Sequence, residues 1–518
     1  MLLLVGSLVL QLQRRPLPLL GAVSSSSSSS SSSGELLVGG NAAYLRGALD
    51  EALELYAECV KVGEFPQACD CAVNLASVVL DRHGDVEGAE MLYRGALEAA
   101  AHGKWPAPRP GEPSKKEERG FFHVDAAHNL ASLLQSRAAE ATTTEARRVL
   151  LREAAALYRD VVRADEARWD AWANLGAAML DANAPKLDAA KCLQHAILAA
   201  ERVEKEYEAN RDGRLGSVRH AIAKAYYGIG EALGHLTPEE RDRAARDDDL
   251  ILLDTNHSAQ VVEEAAANAL RTAVELASGD ETLKAKAEHA LAAVSRDLDK
   301  TRASPAFVRA LFDDFASTFD EQLVGDLAYK VPELLAAKAR ARRRYDLALD
   351  AGCGTGLLGL SGLAVSTLYG ADISAKMCEA ARRRVRSDGA KVYDAVLEGD
   401  LLDPQLYLAL GDRPDLVAAA DVLCYFGDLK PLLSMWATAL LPGGDIIFTV
   451  ESLDDDDDDD AGPWRLAASG RYAHSRAHVD ATAASLGLLL VDADPVVARL
   501  ERGQPVNATL YVLHKPSI

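Results

Sequence analysis

The chain has 518 residues, a formal net charge of −22 at pH 7 and seven cysteines. This length exceeds that of one domain and supplies the apolar residues for at least two cores. The acidic balance argues against a nucleic-acid partner, because phosphate contacts need lysine and arginine side chains. An odd number of cysteines without a Cys-x-x-Cys pair indicates neither a disulfide framework nor a zinc site, so we expect a reducing compartment and no bound metal.

Residues 1–34 form a segment of unusual composition. Met1 to Leu10 is apolar, Arg14 and Arg15 follow, and Ser24 to Ser33 is uninterrupted serine. The apolar stretch is too short to span a membrane, and we expect no membrane partner. We expect a cytoplasmic protein with a disordered tail here; because an acid-free start with arginine and serine also resembles a transit peptide, a mitochondrion or plastid is the alternative.

Residues 35–300 are rich in alanine and leucine and predict an all-α array of paired helices. Helices of one kind contain the pairs Asn74-Leu75, Asn129-Leu130 and Asn174-Leu175, and a partner helix follows each of them. This pairing resembles five or six degenerate tetratricopeptide repeats, although the Asn-Leu pairs are about 55 and about 45 residues apart instead of about 34. The resemblance implies a concave face for a protein partner or protein substrate. An array that only caps and dimerises an enzyme is the alternative.

Residues 301–344 connect the array to the next domain. Pro305 favours the start of a helix, and Phe307, Leu311 and Phe315 fall four residues apart on one helix face. This spacing predicts a helix that packs against a sheet.

A glycine-rich loop follows the apolar run that ends near residue 350, and an apolar segment follows the loop. This order predicts a strand, a turn and a helix. Gly352, Gly354 and Gly356 allow backbone angles that other residues avoid, and they let a ligand lie on the backbone at a helix N-terminus. We therefore expect a bound small molecule. Gly354-x-Gly356-x-x-Gly359 also satisfies the dinucleotide fingerprint, so NAD is one candidate.

Three aspartates end successive predicted strands and favour a different ligand. Asp350 is placed to meet a cation such as the α-ammonium of S-adenosylmethionine. Asp372 can accept hydrogen bonds from two ribose hydroxyls, and Asp400 is placed for the adenine amino group. An acidic-x-Gly-x-Gly-x-Gly loop followed by two such acids resembles the class I S-adenosylmethionine-dependent methyltransferases. The resemblance covers roughly Ser304 to the C-terminus.

The resemblance implies a Rossmann-like α/β domain over residues 345–518, with a seven-stranded, mostly parallel sheet. Val491 to Leu500 and Ala508 to His514 fit the final antiparallel strand pair that this family adds. The whole chain is therefore expected to be multidomain, with a helical array before the α/β domain. The resemblance also implies a set of cofactor-binding residues, namely Asp350, Gly352, Cys353, Gly354, Gly356, Asp372, Ile373, Asp400, Leu401 and Asp421.

The same resemblance implies where the methyl acceptor binds. The segment before the first strand folds over the cofactor as a lid in many such enzymes, and the acceptor pocket should lie over the strand ends at Asp421 and Val450. His474 is the best candidate for a general base by its ordinary pKa, while Tyr425 and Asp421 are the other candidate catalytic residues. A base is needed only if the acceptor arrives protonated.

The segment from Gly470 to Ser475 adds to this likeness. It makes the chain similar to a group of predicted methyltransferases with N-terminal tetratricopeptide repeats, a likeness that carries no substrate. We expect an enzyme that transfers a methyl group from S-adenosylmethionine to a protein or small metabolite, with the array as its protein-interaction module. A non-catalytic scaffold with a degenerate methyltransferase fold is the alternative, and an NAD-binding oxidoreductase is a third. Asp454 to Asp460 predicts a solvated loop instead of a calcium site.

Overall fold

The computed structural model of the chain describes residues 31–103, 121–141, 143–210, 212–247, 250, 259–297, 299–316, 318–321, 329–453, 462–501 and 504–517. The predictions for residues 1–30 and for the loop at Asp454 to Asp460 lie outside these residues. Among the helices of the described part, none has both the length and the apolar character needed to cross a membrane.

The described residues fall into two compact units. The first takes in the chain up to Glu140 and Ala146–Ala225, and the second takes in Ala141–Glu145 and the chain from Tyr226 onward. The second unit therefore begins well before residue 300, where the sequence placed the end of the helical array. Helix periodicity alone does not tell which helices pack on a sheet, so this difference was invisible in the sequence.

In the residues that the structure describes, the first unit contains helices and no strand, in agreement with the all-α expectation. Its predicted helix pairs are present: Asn74, Asn129 and Asn174 lie in α3, α5 and α7, and α4, α6 and α8 follow them. Whether these pairs are tetratricopeptide repeats stays a prediction. The helices are α1 (Ser33–Leu45), α2 (Leu49–Val62), α3 (Gln67–His83), α4 (Val86–His102), α5 (Val124–Glu140), α6 (Thr144–Ala164), α7 (Trp169–Asp181), α8 (Lys186–Ala209) and α9 (Leu215–Gly234), the last of which continues into the second unit.

Small residues let these helices approach closely. At Gly176 in α7, an added Cβ atom would lie 2.6 Å from Cγ of Leu193 in α8, so only glycine allows this contact. A disulfide joins Cys59 of α2 to Cys71 of α3, with 6.2 Å between their Cα atoms. The expectation that the cysteines form no disulfide is therefore wrong for this pair, because the helix turn between them brings together two residues that share no short motif.

The second unit surrounds one sheet with helices. After α9 come α10 (Pro238–Ala244), α11 (Ala259–Leu276) and α12 (Glu281–Val294), then α13 (Pro305–Phe315) and α14 (Val331–Arg342). The His289 ring of α12 stacks on Phe307 of α13 at 4.0 Å between centroids, and its Nε2 lies 2.8 Å from the carbonyl oxygen of Gly470. Helix α12 therefore packs on the α/β part. The remaining helices are α15 (Leu357–Leu360), α16 (Ala375–Arg383), α17 (Pro404–Leu408), α18 (Lys430–Ala439) and α19 (Arg476–Ser485).

The sheet has nine strands in the described residues and is mostly parallel. They are β1 (Tyr345–Ala351), β2 (Val365–Asp372), β3 (Ala395–Glu398), β4 (Leu416–Ala419), β5 (Asp445–Ser452), β6 (Trp464–Leu466), β7 (Tyr472–His474), β8 (Leu489–Glu501) and β9 (Gln504–His514). The order is β3-β2-β1-β4-β5-β7-β6, and β9 pairs antiparallel with both β5 and β8. The predicted final antiparallel pair is thus β8 and β9.

The two strands β6 and β7 are additional to the seven that the resemblance implied. Each of these has three residues, and a segment that short carries no readable alternation of apolar and polar residues. The strands β1 to β5 are parallel, so their carboxyl ends meet at one edge of the sheet. In open α/β sheets this edge is where ligands bind.

Candidate active site

A cavity of about 860 Å³, open solvent included, runs along the carboxyl edge of the sheet. We name its two parts the cofactor end and the acceptor end, after the ligands that the sequence resemblance implies for them. The cofactor end lies at the loops after β1, β2 and β3 and includes Gly352, Gly354, Asp372, Ile373, Asp400 and Leu401. The acceptor end lies at the loops after β4 and before β7 and includes Asp421, Val422, Tyr425 and Arg471, and Phe312, Phe319 and Tyr329 also line the cavity.

The loop after β1 brings its backbone to the cavity wall. Gly352 and Gly354 have φ angles of 77° and 52°, in the left-handed region that glycine reaches without strain. A Cβ atom at Gly352 would also lie 2.4 Å from Cγ2 of Val422, so a larger residue has no room there. Gly356, with φ 96°, begins α15 and lies beside Tyr393 instead of the cavity.

Asp372 connects the loops after β1 and β2. Its Oδ2 accepts a hydrogen bond from the Gly354 N–H and its Oδ1 from the Ser374 N–H, both at 2.9 Å. The carboxyl is buried, and this desolvation raises the pKa of Asp372 to about 6. Because each oxygen has further lone pairs, the carboxylate can still accept bonds from a ligand in the cavity.

The third predicted acid is at the cavity with a partner that the sequence did not suggest. Asp400 lines the cofactor end beside Leu401, and its two oxygens accept bonds from Nη2 of Arg302 at 3.2 and 3.1 Å. The Arg302 guanidinium also lies 5.0 Å from the centroid of the Phe426 ring. Arg302 precedes the lid helix by only a few residues, but nothing in its local pattern points to a site.

The predictions for Asp350 and Cys353 are corrected by their positions. Asp350 is 1% exposed and does not line the cavity; its Oδ2 accepts a bond from the Tyr393 hydroxyl at 2.6 Å. Burial raises the pKa of Asp350 to about 7. Cys353 lies in the hydrophobic core behind the loop. The spacing of the motif was right, but spacing alone does not tell which side chains of the strand end and the loop face the ligand.

At the acceptor end, Asp421 and Tyr425 lie where the sequence placed them. Asp421 follows β4 with a φ of 60°, which is strained for a residue other than glycine. Tyr425 ends a short 3₁₀ turn and packs edge-on against Phe312 of the lid helix, with 5.5 Å between ring centroids. Burial raises the pKa of the Tyr425 hydroxyl well above its usual value, so it stays protonated at neutral pH.

The assignment of His474 as a base at the cavity is also corrected. His474 is 2% exposed in β7, and its Nε2 lies 2.8 Å from the Phe426 carbonyl oxygen and 3.1 Å from that of Gly427. Burial lowers the pKa of its imidazole to about 4. The side chain is not part of the cavity wall. A histidine with this pKa and these contacts holds the β4–α18 connection in place instead of reaching an acceptor.

Sequence reasoning missed a buried group of charges behind the acceptor end, which we call the arginine cluster: Arg471, Arg499, Asp421, Glu451 and Glu501. Arg499 donates to Asp421 at 2.5 Å, to Glu501 at 2.8 Å and also to Glu451. Both Nη atoms of Arg471 donate to Oε1 of Glu501, at 2.6 and 2.8 Å. These residues come from four separate chain segments, so no sequence window contains the cluster.

The arginine cluster also bears on metal binding. Ligand atoms of Asp421, Cys424 and Glu451 lie within 4.8 Å of one another. Both carboxylates, however, are already bound to the Arg499 guanidinium. A metal cation would have to compete with the buried Arg499 guanidinium for these carboxylate oxygens, and the guanidinium has no lone pair to offer the metal. This group of residues therefore does not fit a metal.

Comparison with known proteins agrees with this geometry. Residues 349–446 match the family described as "Methyltransferase domain". Solved structures similar to the chain include magnesium protoporphyrin IX methyltransferase of Synechocystis with bound S-adenosylhomocysteine, at 19% identity over 36% of this chain and 81% of that one, with a TM-score of 0.28. The N-methyltransferase NodS of Bradyrhizobium japonicum is similar at 16% identity over 36% and 86%, with a TM-score of 0.28.

A further similar structure is an S-adenosylmethionine-dependent methyltransferase of Clostridium acetobutylicum, at 19% identity over 40% of this chain and 99% of that one, with a TM-score of 0.30. No curated protein sequence matches the chain. Residues 349–446 are thus similar to a methyltransferase domain, as the sequence resemblance predicted.

Proposed function

We propose that the chain transfers the methyl group of S-adenosylmethionine to an acceptor that binds between the lid helix α13 and the β4, β5 and β7 strand ends. The observation that supports this most is the cavity itself, which joins a backbone-lined cofactor end to a separate acceptor end. Gly352 and Gly354 would hold the methionine part of the donor, Asp372 its ribose, and Ile373 and Leu401 its adenine. Asp400 offers carboxylate oxygens beside the adenine.

The donor supplies an activated methyl group on a sulfonium, so the protein's task is to position and desolvate. Phe312 and Phe319 of the lid segment cover the cavity opposite the strand ends. Asp313 accepts a bond from the Ser374 hydroxyl at 2.6 Å, and Asp320 is bonded to Thr355 and Arg384, so both cofactor loops are fastened to the lid segment. Exclusion of water strengthens every electrostatic interaction inside such a site.

Calorimetric titration tests the cofactor. We expect S-adenosylmethionine and S-adenosylhomocysteine to bind the full-length chain one to one, with no heat from NAD at the same concentration. Binding of NAD alone would favour the oxidoreductase alternative. Absence of binding by all three would favour the scaffold alternative, in which the methyltransferase fold is a structural element.

The helical unit is proposed as a tetratricopeptide-like module that binds a protein partner or protein substrate. Stacked helix pairs present a concave face that fits an extended peptide. A fragment from Asp212 onward keeps α9 whole and removes α1 to α8. We expect it to bind S-adenosylmethionine like the full chain, but to modify protein acceptors at least tenfold more slowly. Equal rates on protein acceptors would exclude substrate docking by the array.

A further inference from the structure

Arg471 is the charged group that distinguishes the acceptor end of the cavity. It is 3% exposed, yet it forms part of the cavity wall. Its two bonds to Glu501 use only two of the five N–H donors of a guanidinium, and its Nε is 3.7 Å from Glu451. An arginine held in this way keeps donors for a ligand, and its fork matches a carboxylate.

The other polar groups at the acceptor end are also donors or are already paired. Tyr329 and Tyr425 line the cavity, and burial raises the pKa of both hydroxyls, so both keep their protons. Asp421 is the carboxylate on this part of the wall, and its Oδ2 accepts a 2.5 Å bond from Arg499. Arg499 is fully buried, so the charge of Asp421 is compensated inside the protein.

The described residues that line the cavity include no histidine, lysine or cysteine. An alcohol or an ammonium acceptor would have to lose a proton to a base, and His474 is turned toward the Phe426 carbonyl. A carboxylic acid is already ionised at neutral pH and needs no base.

We propose that the acceptor is a carboxylate on an apolar group, bound by Arg471 and the Tyr425 hydroxyl and methylated on a carboxylate oxygen. This inference rests on the proposed function. The bond between the sulfonium sulfur and the methyl carbon breaks while a carboxylate oxygen forms the new bond to that carbon. The electron pair of the broken bond stays on sulfur, and no proton moves. A cation and an anion become a neutral thioether and a neutral methyl ester, and Phe312 and Phe319 give this reaction an apolar surrounding.

The test uses the full-length chain and three probes that share one phenethyl group: 3-phenylpropionate, phenethylamine and 2-phenylethanol. Titration with S-adenosylhomocysteine comes first, and failure at this step contradicts the proposed function before any probe is added. With the loaded protein, we expect the acid to bind at least tenfold more tightly than the amine or the alcohol. With methyl-labelled S-adenosylmethionine, the ester formed from 3-phenylpropionate should release labelled methanol in alkali. Equal or tighter binding of the amine or the alcohol, no binding by any probe, or an alkali-stable label overturns the inference.

Variants assign the recognition to Arg471. Arg471→Lys keeps the positive charge and loses the fork, and we expect it to lose at least tenfold in affinity for 3-phenylpropionate with S-adenosylhomocysteine affinity unchanged within twofold. The double variant Arg471→Gln with Glu501→Gln removes the guanidinium together with the carboxylate that accepts both of its bonds, which leaves the net charge of the arginine cluster unchanged, and it should abolish the preference for the acid. Arg476→Gln changes a surface arginine that pairs with Asp480 as the control, and it should keep that preference. A full acid preference in Arg471→Lys and in the double variant contradicts the assignment.

The source of the carboxylate is a separate arm of the same experiment. A cell extract treated with the full-length chain and labelled donor is divided into small molecules and protein. Methanol released by alkali from the first fraction identifies a free acid, and from the second a protein carboxylate. Label that stays in both fractions after alkali overturns the proposal.

Discussion

The two ends of the cavity are built in different ways. The cofactor end comes from three consecutive strand and loop units between Asp350 and Leu401, and its wall includes Gly352, Gly354 and Gly399. The acceptor end combines side chains from residues 312 to 471, supported by Arg499. A site made by local backbone geometry leaves a motif in the sequence, whereas a site made by distant side chains does not. We therefore expect mutations at the cofactor end and at the acceptor end to have different consequences.

The largest effect is expected where the acceptor end depends on a single residue. Arg499→Leu leaves Asp421, Glu451 and Glu501 without their common buried cation, so we expect the free energy of unfolding to fall by about 3–5 kcal/mol. Urea unfolding of the full chain, followed by circular dichroism, measures this. Arg476→Leu is the control, because Arg476 pairs with Asp480 on the surface and should change stability by about 0–1 kcal/mol. Equal losses in the two variants would show that the arginine cluster carries no special stability.

The next prediction concerns Asp350, behind the cofactor end. Its raised pKa means that the folded chain holds a proton that the unfolded chain releases above about pH 4, so this carboxyl's contribution to stability is complete below pH 4 and is lost as the pH rises through about 7. Asp350→Asn stays neutral and keeps an acceptor for the Tyr393 hydroxyl. The difference in unfolding free energy, variant minus unchanged protein, should therefore increase by about 1–4 kcal/mol as the pH rises through this window.

Affinity separates this role from cofactor binding. Because Asp350 does not line the cavity, Asp350→Asn should change the S-adenosylmethionine affinity by less than about threefold. A loss of tenfold or more at pH 8, where the native carboxyl is charged, would restore the sequence-based assignment of Asp350 to the ammonium group.

Asp372→Ala tests the cofactor end directly. The substitution removes a ligand contact and also frees the N–H groups of Gly354 and Ser374, so we expect the S-adenosylmethionine affinity to fall by about tenfold to a hundredfold. Asp388→Ala changes an exposed turn aspartate in the same domain and is the control. Calorimetry at pH 8 keeps the native Asp372 carboxyl ionised. An unchanged affinity in Asp372→Ala with an intact fold would contradict the site.

These cases show how far the sequence could be read. The strand, loop and helix order predicted Gly352, Gly354 and Asp372 at one ligand, because parallel strands must end at the same edge. The same pattern could not tell that Asp350 faces Tyr393, since the direction of a strand residue depends on the pleat and on which face the cavity takes. Arg471 lies in the segment from Gly470 to Ser475, for which the sequence predicts no role in the site. Its role depends on Glu501 and Arg499, which contact it only in the folded sheet.

His474 should give the smallest change in activity. Its ring lies against the carbonyl oxygens of Phe426 and Gly427, and a glutamine amide can donate to the same oxygens. We therefore expect His474→Gln to form the 3-phenylpropionate ester at a rate within tenfold of the unchanged protein, with the same pH profile between pH 6 and 8. A general base would instead cost about 10² to 10⁴ in rate. A loss of that size, with a profile that becomes flat, would return His474 to catalysis.

Stability distinguishes the two roles of His474 even if the rates are equal. The pKa of its buried imidazole is lowered to about 4, so the unfolded chain binds a proton that the folded chain does not bind between about pH 6.5 and 4. This contribution to stability is complete above pH 6.5 and is lost as the pH falls through 4. His474→Gln carries no such proton and should lose less stability than the unchanged protein between pH 7 and 4.5. Parallel losses in both proteins would mean that the imidazole titrates normally and reaches solvent, as a catalytic base at an open cavity would.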